Sequence, residues 1–151
     1  MEYGDLALMI VQPTDHVQGP RRIPLALEFA QSFHAYSPWS EVPFDAAACA
    51  LGLARLDSTG HLDVREGGMI GGMIVPCLFN PAIKMAAELF WWSEDASLGR
   101  ALREGFEAWA RDQGALYVMC SALADEHEPA VRRLYGRAGY EAAEIAFRKV
   151  L

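Results

Sequence analysis

The chain has 151 residues, of which 52% are hydrophobic and 22% charged, and its formal net charge is −7 at pH 7. This length and balance are typical of one globular domain, here predicted over 1–151. Because nucleic-acid binding requires clustered lysines and arginines, the negative charge argues against a nucleic-acid partner. The basic pairs Arg21–Arg22 and Arg132–Arg133 are too isolated to build a patch. No apolar run is long enough to cross a bilayer and the N-terminus lacks a signal-peptide pattern, so we expect no membrane association.

Three cysteines, Cys49, Cys77 and Cys120, stand far apart in apolar runs. An odd number of cysteines in apolar surroundings favours reduced, buried thiols. We therefore expect a cytoplasmic location.

The predicted elements begin with an apolar strand over 6–12 that ends at a proline. Two helices follow, over 22–34 and 44–56, and Asp45 is the expected N-cap of the second. The segment 36–42 between them, with its aromatic residues and nearby prolines, is predicted to be a loop.

A hairpin is predicted next, with strands over 61–66 and 69–79. Pro76 cannot donate a ladder hydrogen bond, so it marks a bulge or an edge. Four glycines share this region: Gly67, Gly68, Gly71 and Gly72. Their spacing differs from that of a dinucleotide-binding loop and they lie between strands, which favours a turn with close backbone packing over a phosphate cradle.

The next unit is an aromatic-rich strand over 84–92, a short polar turn and an amphipathic helix over 98–112. Two i,i+4 ion pairs are expected on the helix, Arg100–Glu104 and Arg103–Glu107. Where a strand runs directly into a helix, first-turn N–H groups lack partners and favour a bound anion such as phosphate. An ordinary crossover with a solvated turn explains the same pattern, and both interpretations stay open.

The remaining chain predicts a strand over 115–122, a helix over 129–138 and a final strand over 140–151 with Ile145 and Phe147 inward. The continuous apolar run of 115–122 is expected for a strand covered on both faces. The acidic loop between strand and helix most simply caps the helix, and we predict no metal site. The order β-α-α-β-β-β-α-β-α-β indicates an α+β, or mixed α/β, fold.

Four pieces of the sequence resemble the GNAT acyltransferase superfamily, and most closely its bacteriophage-encoded members. They are SPW…PFD at 37–45, FNP…ELFWW at 79–92, LGRAL…FEAWARDQGA at 98–115 and LYGRAGY at 134–140. The resemblance implies a mostly antiparallel, twisted central sheet whose strands 84–92 and 115–122 part to form a cofactor cleft. It also implies an N-acyltransferase that transfers acetyl from acetyl-CoA to a small-molecule or protein amine.

The same resemblance implies roles for individual residues. Glu88 matches the general base and Tyr135 the acid that protonates the departing thiolate, chemistry that suits both side chains. Cofactor contacts are expected from Leu89, Phe90, Trp91, Trp92, Ser93, Asp95, Ser97, Leu98, Gly99 and Arg100. Acceptor contacts are expected from Phe33, His34 and Trp39. Read without the resemblance, Glu88 could be a structural carboxylate and Tyr135 a core aromatic, so those alternatives stay open.

The turn SEDASLG departs from the family because it is short, keeps one glycine and carries Glu94 and Asp95. Carboxylates at a helix N-terminus compete with an incoming anion for the same donors. Two alternatives follow: a GNAT-fold protein without catalysis that acts through protein contacts, for example in a phage virion, or a sensor that binds CoA without turnover. The final strand would also allow homo-oligomerisation along its edge.

Overall fold

The computed structural model describes residues 15–151, and the strand predicted over 6–12 lies outside them. Four helices are formed in this part: α1 (Arg22–Tyr36), α2 (Ala46–Thr59), α3 (Ala96–Asp112) and α4 (Glu128–Arg137). Four strands are formed: β1 (His61–Arg65), β2 (Gly68–Cys77), β3 (Asn80–Ser93) and β4 (Ala115–Met119). None of the helices in the described range is long and apolar enough to span a membrane.

The strands make one sheet in the order β1-β2-β3-β4. The pairs β1–β2 and β2–β3 are antiparallel, and β3–β4 is parallel because α3 crosses over between them. This mostly antiparallel sheet with helices confirms the predicted α+β class. The register shifts at Pro76, which confirms the irregularity expected there.

Each face of the sheet carries its own core. Successive residues of a strand point to opposite faces, so Met69 packs with α1 and α2 while Ile70 packs with α3. Leu102 and Phe106 of α3 are fully buried in the second core. Burying a phenylalanine side chain of this kind stabilises the fold by about 1.5–3 kcal/mol.

The hairpin glycines serve the backbone packing predicted for them. Gly67 has φ +90, which the turn requires. A Cβ at Gly72 would lie 2.5 Å from the Ala87 carbonyl oxygen and 2.6 Å from the Phe106 ring, so β2, β3 and α3 approach closely only because Gly72 has none. The predicted N-cap is also confirmed, since Asp45 accepts a hydrogen bond from the Ala48 N–H at 2.9 Å.

Two predictions about the C-terminal part were wrong. The strand β4 is not covered on both faces, because its Leu116 and Tyr117 side chains are 63% and 58% exposed. Residues 140–151 form no strand, and Ile145 and Phe147 are 71% and 92% exposed rather than inward. An alternating pattern becomes a strand only beside a neighbour that completes its ladder, and the described residues bring no such neighbour to this segment.

One predicted ion pair also differs. Arg103 pairs with Glu107 as expected, but Glu104 lies 3.8 Å from the Arg103 guanidinium rather than pairing with Arg100. Arg100 is left without an ion-pair partner in the part of the chain that the structure describes.

Candidate functional site

A cleft opens where β3 and β4 separate. The parallel ladder joins only Lys84–Ala87 to β4, and β3 continues to Ser93 without that neighbour. The opening has a volume of about 740 Å³. It is lined from both sides of the sheet by Phe33, Tyr36, Glu88, Trp91, Trp92, Ser93, Ser121, Ala122, Leu123, Asp125, Glu126, His127, Val131, Leu134 and Tyr135.

A β-bulge lies at the inner end of the cleft. Gly71 pairs with Phe90 and Gly72 with Glu88, so Leu89 is an extra residue on β3. Bulges of this kind redirect side chains and often lie beside active sites. Here the bulge changes which side chains of β3 point to each face of the sheet, just beyond the point where β3 separates from β4.

Glu88 occupies the point of separation. Its carboxylate accepts hydrogen bonds from the Ser121 N–H at 3.1 Å and from the Ser121 Oγ at 3.3 Å. Burial raises the pKa of Glu88 above its ordinary value, and these two hydrogen bonds oppose the rise. The result is a carboxylate in the cleft with increased affinity for a proton.

Tyr135 approaches the same residue from α4. Its hydroxyl donates to the Ser121 carbonyl oxygen at 2.9 Å, and the side chain is 9% exposed. Burial, together with the neighbouring Cys120 and Glu88, raises the pKa of Tyr135, so the phenol stays protonated at neutral pH. Ser121 therefore joins the predicted base and acid, although nothing in the sequence singled it out beyond its place after an apolar run.

Cys120 lies next to this group but is not a nucleophile at neutral pH. Burial raises the pKa of its thiol to about 12. The sulfur lies 3.8 Å from the Tyr140 hydroxyl, which in turn donates to Glu107 at 2.9 Å. Because the thiolate is the reactive form of cysteine, the protonated thiol of Cys120 does not act as a nucleophile beside the predicted base and acid.

The turn before α3 is partly occupied by its own side chains. Asp95 accepts a hydrogen bond from the Leu98 N–H at 2.8 Å, and the Asp95 N–H lies 3.3 Å from the Ser93 hydroxyl oxygen. The Glu94 N–H donates to the Gly67 carbonyl at 2.9 Å. Within the described residues, only the N–H groups of Ala96 and Ser97 remain unpaired in this turn.

The other predicted cofactor residues of β3 and α3 differ in their positions. Trp91, Trp92 and Ser93 line the cleft. Leu98 and Gly99 are buried against the sheet, where a Cβ on Gly99 would lie 3.4 Å from Ser93, so they position the turn instead. Leu89 is half exposed at the bulge, and Phe90 packs towards α1.

The predicted acceptor residues are only partly brought together. Phe33 lines the cleft, whereas the cleft lining includes neither His34 nor Trp39. The His34 Nε2 lies 2.7 Å from the Val42 carbonyl oxygen, and Trp39 lies under the Arg148 guanidinium at 4.8 Å. Tyr36, which lies in the same aromatic segment, lines the cleft and stacks on Trp92 with ring centroids 5.9 Å apart.

A second cavity of about 630 Å³ lies between α3 and α4 and is called the basic pocket below. It is lined by Ala96, Arg100, Arg103, Glu104, Ala130, Arg133, Leu134, Arg137 and Ala138. The expectation that Arg133 would contribute to no basic patch was therefore wrong, because helix packing places it with Arg100 and Arg137.

The charge of the cleft is opposite to that of the basic pocket. Glu88, Asp125 and Glu126 line the cleft, and its lining contains no lysine or arginine. Within residues 15–151, no group of three acidic, histidine or cysteine side chains is arranged to hold a metal ion. The described lining of the cleft is therefore negatively charged.

No family model and no curated protein matches this chain. Solved structures do match its fold. An acetyltransferase of Trypanosoma brucei aligns with a TM-score of 0.62 at 19% identity, over 84% of this chain and 92% of that one. AAC(6')-Iy, solved with the bisubstrate analogue CoA-S-monomethyl-acetylneamine, aligns with a TM-score of 0.63 at 14% identity, over 91% and 98%.

A transcriptional regulator from Bacillus halodurans aligns with a TM-score of 0.67 at 11% identity, over 91% of this chain and 97% of that one. Identities this low establish the fold alone. The fold is that of the GNAT-type acetyltransferases, as the sequence predicted.

Proposed function

We propose that this protein is an acyl-CoA-dependent N-acyltransferase that transfers acetyl from acetyl-CoA to an amine by direct attack. The observation that carries the proposal is the meeting of Glu88 and Tyr135 on Ser121. In the proposal, Glu88 is the proton acceptor and Tyr135 the proton donor, and both lie where β3 and β4 part. Direct transfer needs these two groups and no covalent enzyme intermediate.

The cleft residues fit CoA along its pantetheine arm. The edge of β3 beyond Ala87 has no strand beside it, which leaves backbone groups facing the opening. When bound, acetyl-CoA would supply an acetyl group activated as a thioester. Trp91, Val131 and Leu134 give the opening an apolar wall on the α4 side.

Each residue then has a definite task. Glu88, with its raised pKa, accepts a proton from the ammonium group of the acceptor, directly or through water, so that the amine becomes a nucleophile. Tyr135 gives its proton to the sulfur as the carbon–nitrogen bond forms and the carbon–sulfur bond breaks. The nitrogen loses a second proton to solvent as the amide forms, and the proton given by Tyr135 stays on the CoA thiol. Glu88 then releases its proton to solvent and the Tyr135 phenolate takes one from solvent, so that each turnover releases one net proton.

The lining of the cleft supports a cationic acceptor. Asp125 and Glu126 add negative charge beside Glu88. The stacked rings of Tyr36 and Trp92 offer π faces, which attract ammonium groups. An amine with a second positive charge would satisfy both features.

One observation favours a second candidate, a GNAT-fold protein that acts through contacts instead of catalysis. Asp95 already accepts from the Leu98 N–H, which removes one first-turn donor from an incoming diphosphate. A phage virion role belongs to this candidate, whereas a sensor that binds CoA without turnover is a separate alternative. The neighbours reported above are named as acetyltransferases or a regulator, and none is named as a phage or virion protein.

Calorimetric titration with acetyl-CoA, followed by a thiol-release assay with mono- and diamines, tests the proposal. We expect binding, transfer to an amine, and a large loss of transfer in Tyr135→Phe with binding retained. Tyr117→Phe is the matched control, because this tyrosine is exposed on β4 outside the cleft. Binding without transfer to any amine would favour a sensor, and no binding would leave the fold without the activity.

A further inference from the structure

A chain of half-buried polar side chains lies beside the predicted acid and base. Its members are Cys120 directly after β4, Tyr140 after α4, and Glu107 on α3. The Cys120 thiol donates to the Tyr140 hydroxyl oxygen over 3.8 Å, and the Tyr140 hydroxyl donates to the Glu107 carboxylate at 2.9 Å. None of the three lines the cleft, so the proposed reaction leaves them without a task.

Glu107 gives this chain a fixed end. Its side chain is 18% exposed and pairs with Arg103, whose side chain is 9% exposed. Hydrogen bonds to a charged group are stronger than those between neutral groups. The Tyr140 hydroxyl therefore has a strong partner whose position is set by α3.

Tyr140 also contacts Tyr135 through its backbone and its ring. The Tyr140 N–H donates to the Tyr135 carbonyl oxygen at 3.0 Å, and the two ring centroids lie 5.1 Å apart at 45°. Gly139, with φ +89, allows the chain to turn back in this way after α4. Tilted aromatic pairs at this separation are favourable. The position of the Tyr135 ring therefore depends on Tyr140.

Cys120 connects the same chain to the end of β4. It precedes Ser121, the residue at which the predicted base and acid meet. The described β3–β4 ladder ends at the Ala87–Met119 pair, so strand pairing does not hold the two residues that follow. The contact of Cys120 with Tyr140 fastens this end of β4 to α3 instead.

We propose that Tyr140 is a positioning residue that holds Tyr135 against Ser121 for proton transfer. The proposal rests on the proposed function, because it takes Tyr135 as the acid. Tyr140 is joined to α4 by its backbone and ring, and to β4 and α3 by its hydroxyl. A proton moves between groups that lie within hydrogen-bond reach of each other. Loss of the hydroxyl should therefore slow transfer and leave the binding of acetyl-CoA unchanged.

The test is a double-mutant cycle that measures kcat and KM for acetyl transfer in Tyr140→Phe, Tyr135→Phe and the double variant. A misplacement of about 1 Å can slow a reaction by about 100-fold, and we expect Tyr140→Phe to lower kcat by about 10-fold with KM for acetyl-CoA unchanged. In the Tyr135→Phe background the same change should alter kcat by no more than about 2-fold, because no acid is left to position. Tyr117→Phe is the control, since this exposed tyrosine lies on β4 outside the cleft.

The outcomes separate this proposal from the proposed function. An unchanged kcat in Tyr140→Phe, while Tyr135→Phe loses transfer, overturns the positioning role and leaves the acyltransferase standing. An equal loss in both backgrounds, or a loss that falls on KM alone, is the mark of a general structural role and also overturns it. No transfer by the unaltered protein removes the proposed function and this inference with it.

Folding of each variant is verified by circular dichroism. Tyr140→Phe keeps the ring and the backbone contact with Tyr135, so we expect it to fold. If it does not, Cys120→Ala breaks the chain at its other end and takes its place in the cycle, with the same criteria.

Discussion

The acidic cap of α3 gives the sharpest prediction about ligand binding. Asp95 Oδ1 accepts the Leu98 N–H at 2.8 Å, so this side chain both caps the helix and places a negative charge beside the unpaired N–H groups of Ala96 and Ser97. Replacing Asp95 by asparagine keeps an oxygen for the cap and removes the charge. Replacing it by alanine removes both.

The two substitutions separate stability from binding. Asparagine caps about as well as aspartate, so Asp95→Asn should lose only the dipole contribution, about 0.3–1 kcal/mol. Asp95→Ala also loses the hydrogen bond and should cost about 1–2 kcal/mol. For a chain of this length, each kcal/mol lowers the melting temperature by about 2–4 °C.

The gain in affinity that both substitutions share comes from the removed charge, and Asp95→Ala also frees the Leu98 N–H as a donor. Two like charges about 4 Å apart near bulk water repel by about 1 kcal/mol, which corresponds to about a 5-fold change in Kd. Both substitutions should therefore tighten CoA by about 5-fold, although only Asp95→Ala should clearly lower the melting temperature. Their pantetheine affinity should not change, because that part of CoA carries no phosphate.

Differential scanning fluorimetry and calorimetric titration at low salt measure the two effects. Asp112→Asn is the control, because it removes an exposed carboxylate at the opposite end of α3. If Asp95→Asn leaves CoA affinity unchanged or weakens it, the carboxylate does not repel the ligand, and the reasoning about the capped turn is refuted. Added salt should reduce the gain, since it screens exposed charges.

Four further predictions concern the sheet and the acid–base pair. Gly72→Ala should lower the free energy of unfolding by about 1–3 kcal/mol in a thermal or urea melt, because the added methyl group would meet neighbouring atoms at 2.5 Å and 2.6 Å. Gly52→Ala is the control on α2. A Cβ there meets nothing within 4 Å, so this variant should be more stable by about 0.5–1 kcal/mol. Tyr135→Phe should slow acetyl transfer by about 100-fold or more, and Tyr117→Phe should not. Transfer should fall as the pH drops through the raised pKa of Glu88, because the base is then protonated. Because the pKa of Glu88 is raised in the folded protein, the native state loses stability as the pH rises through that pKa. A glutamine does not ionise, so Glu88→Gln should be more stable than the unaltered protein in a melt at neutral pH but not at acidic pH.

Local sequence signals located most of the fold. The cap at Asp45 follows from local chemistry, and Gly114 and Gly139, which come after α3 and α4, have the positive φ that is typical of glycines at helix ends. The hairpin glycines and the crossover through α3 are equally local. The errors concern β4 and residues 140–151, where an apolar or alternating pattern cannot tell whether another part of the chain will cover it.

The functional site was harder to predict from the sequence, because it depends on packing between distant parts of the chain. Glu88 and Tyr135 came from the resemblance, but their meeting at Ser121 depends on how β4 and α4 pack. The basic pocket was missed because Arg100 and Arg133 are distant in sequence and line one cavity only in the folded chain. The number and spacing of charged residues in a sequence do not show which of them become neighbours in the fold.

The hydrogen bonds of Glu88 serve both the structure of the cleft and the role as base that is proposed for this residue. Its carboxylate accepts a hydrogen bond from the Ser121 N–H, a backbone donor that lies beyond the end of the β3–β4 ladder. A donor that would otherwise seek a strand partner is thereby satisfied by a side chain, which allows the two strands to stay apart. The same contact holds the carboxylate inside the cleft, where burial raises its pKa. A glutamine can accept these hydrogen bonds without acting as a base, whereas an alanine cannot accept them, so Glu88→Gln removes the chemistry and Glu88→Ala also removes the support of the cleft.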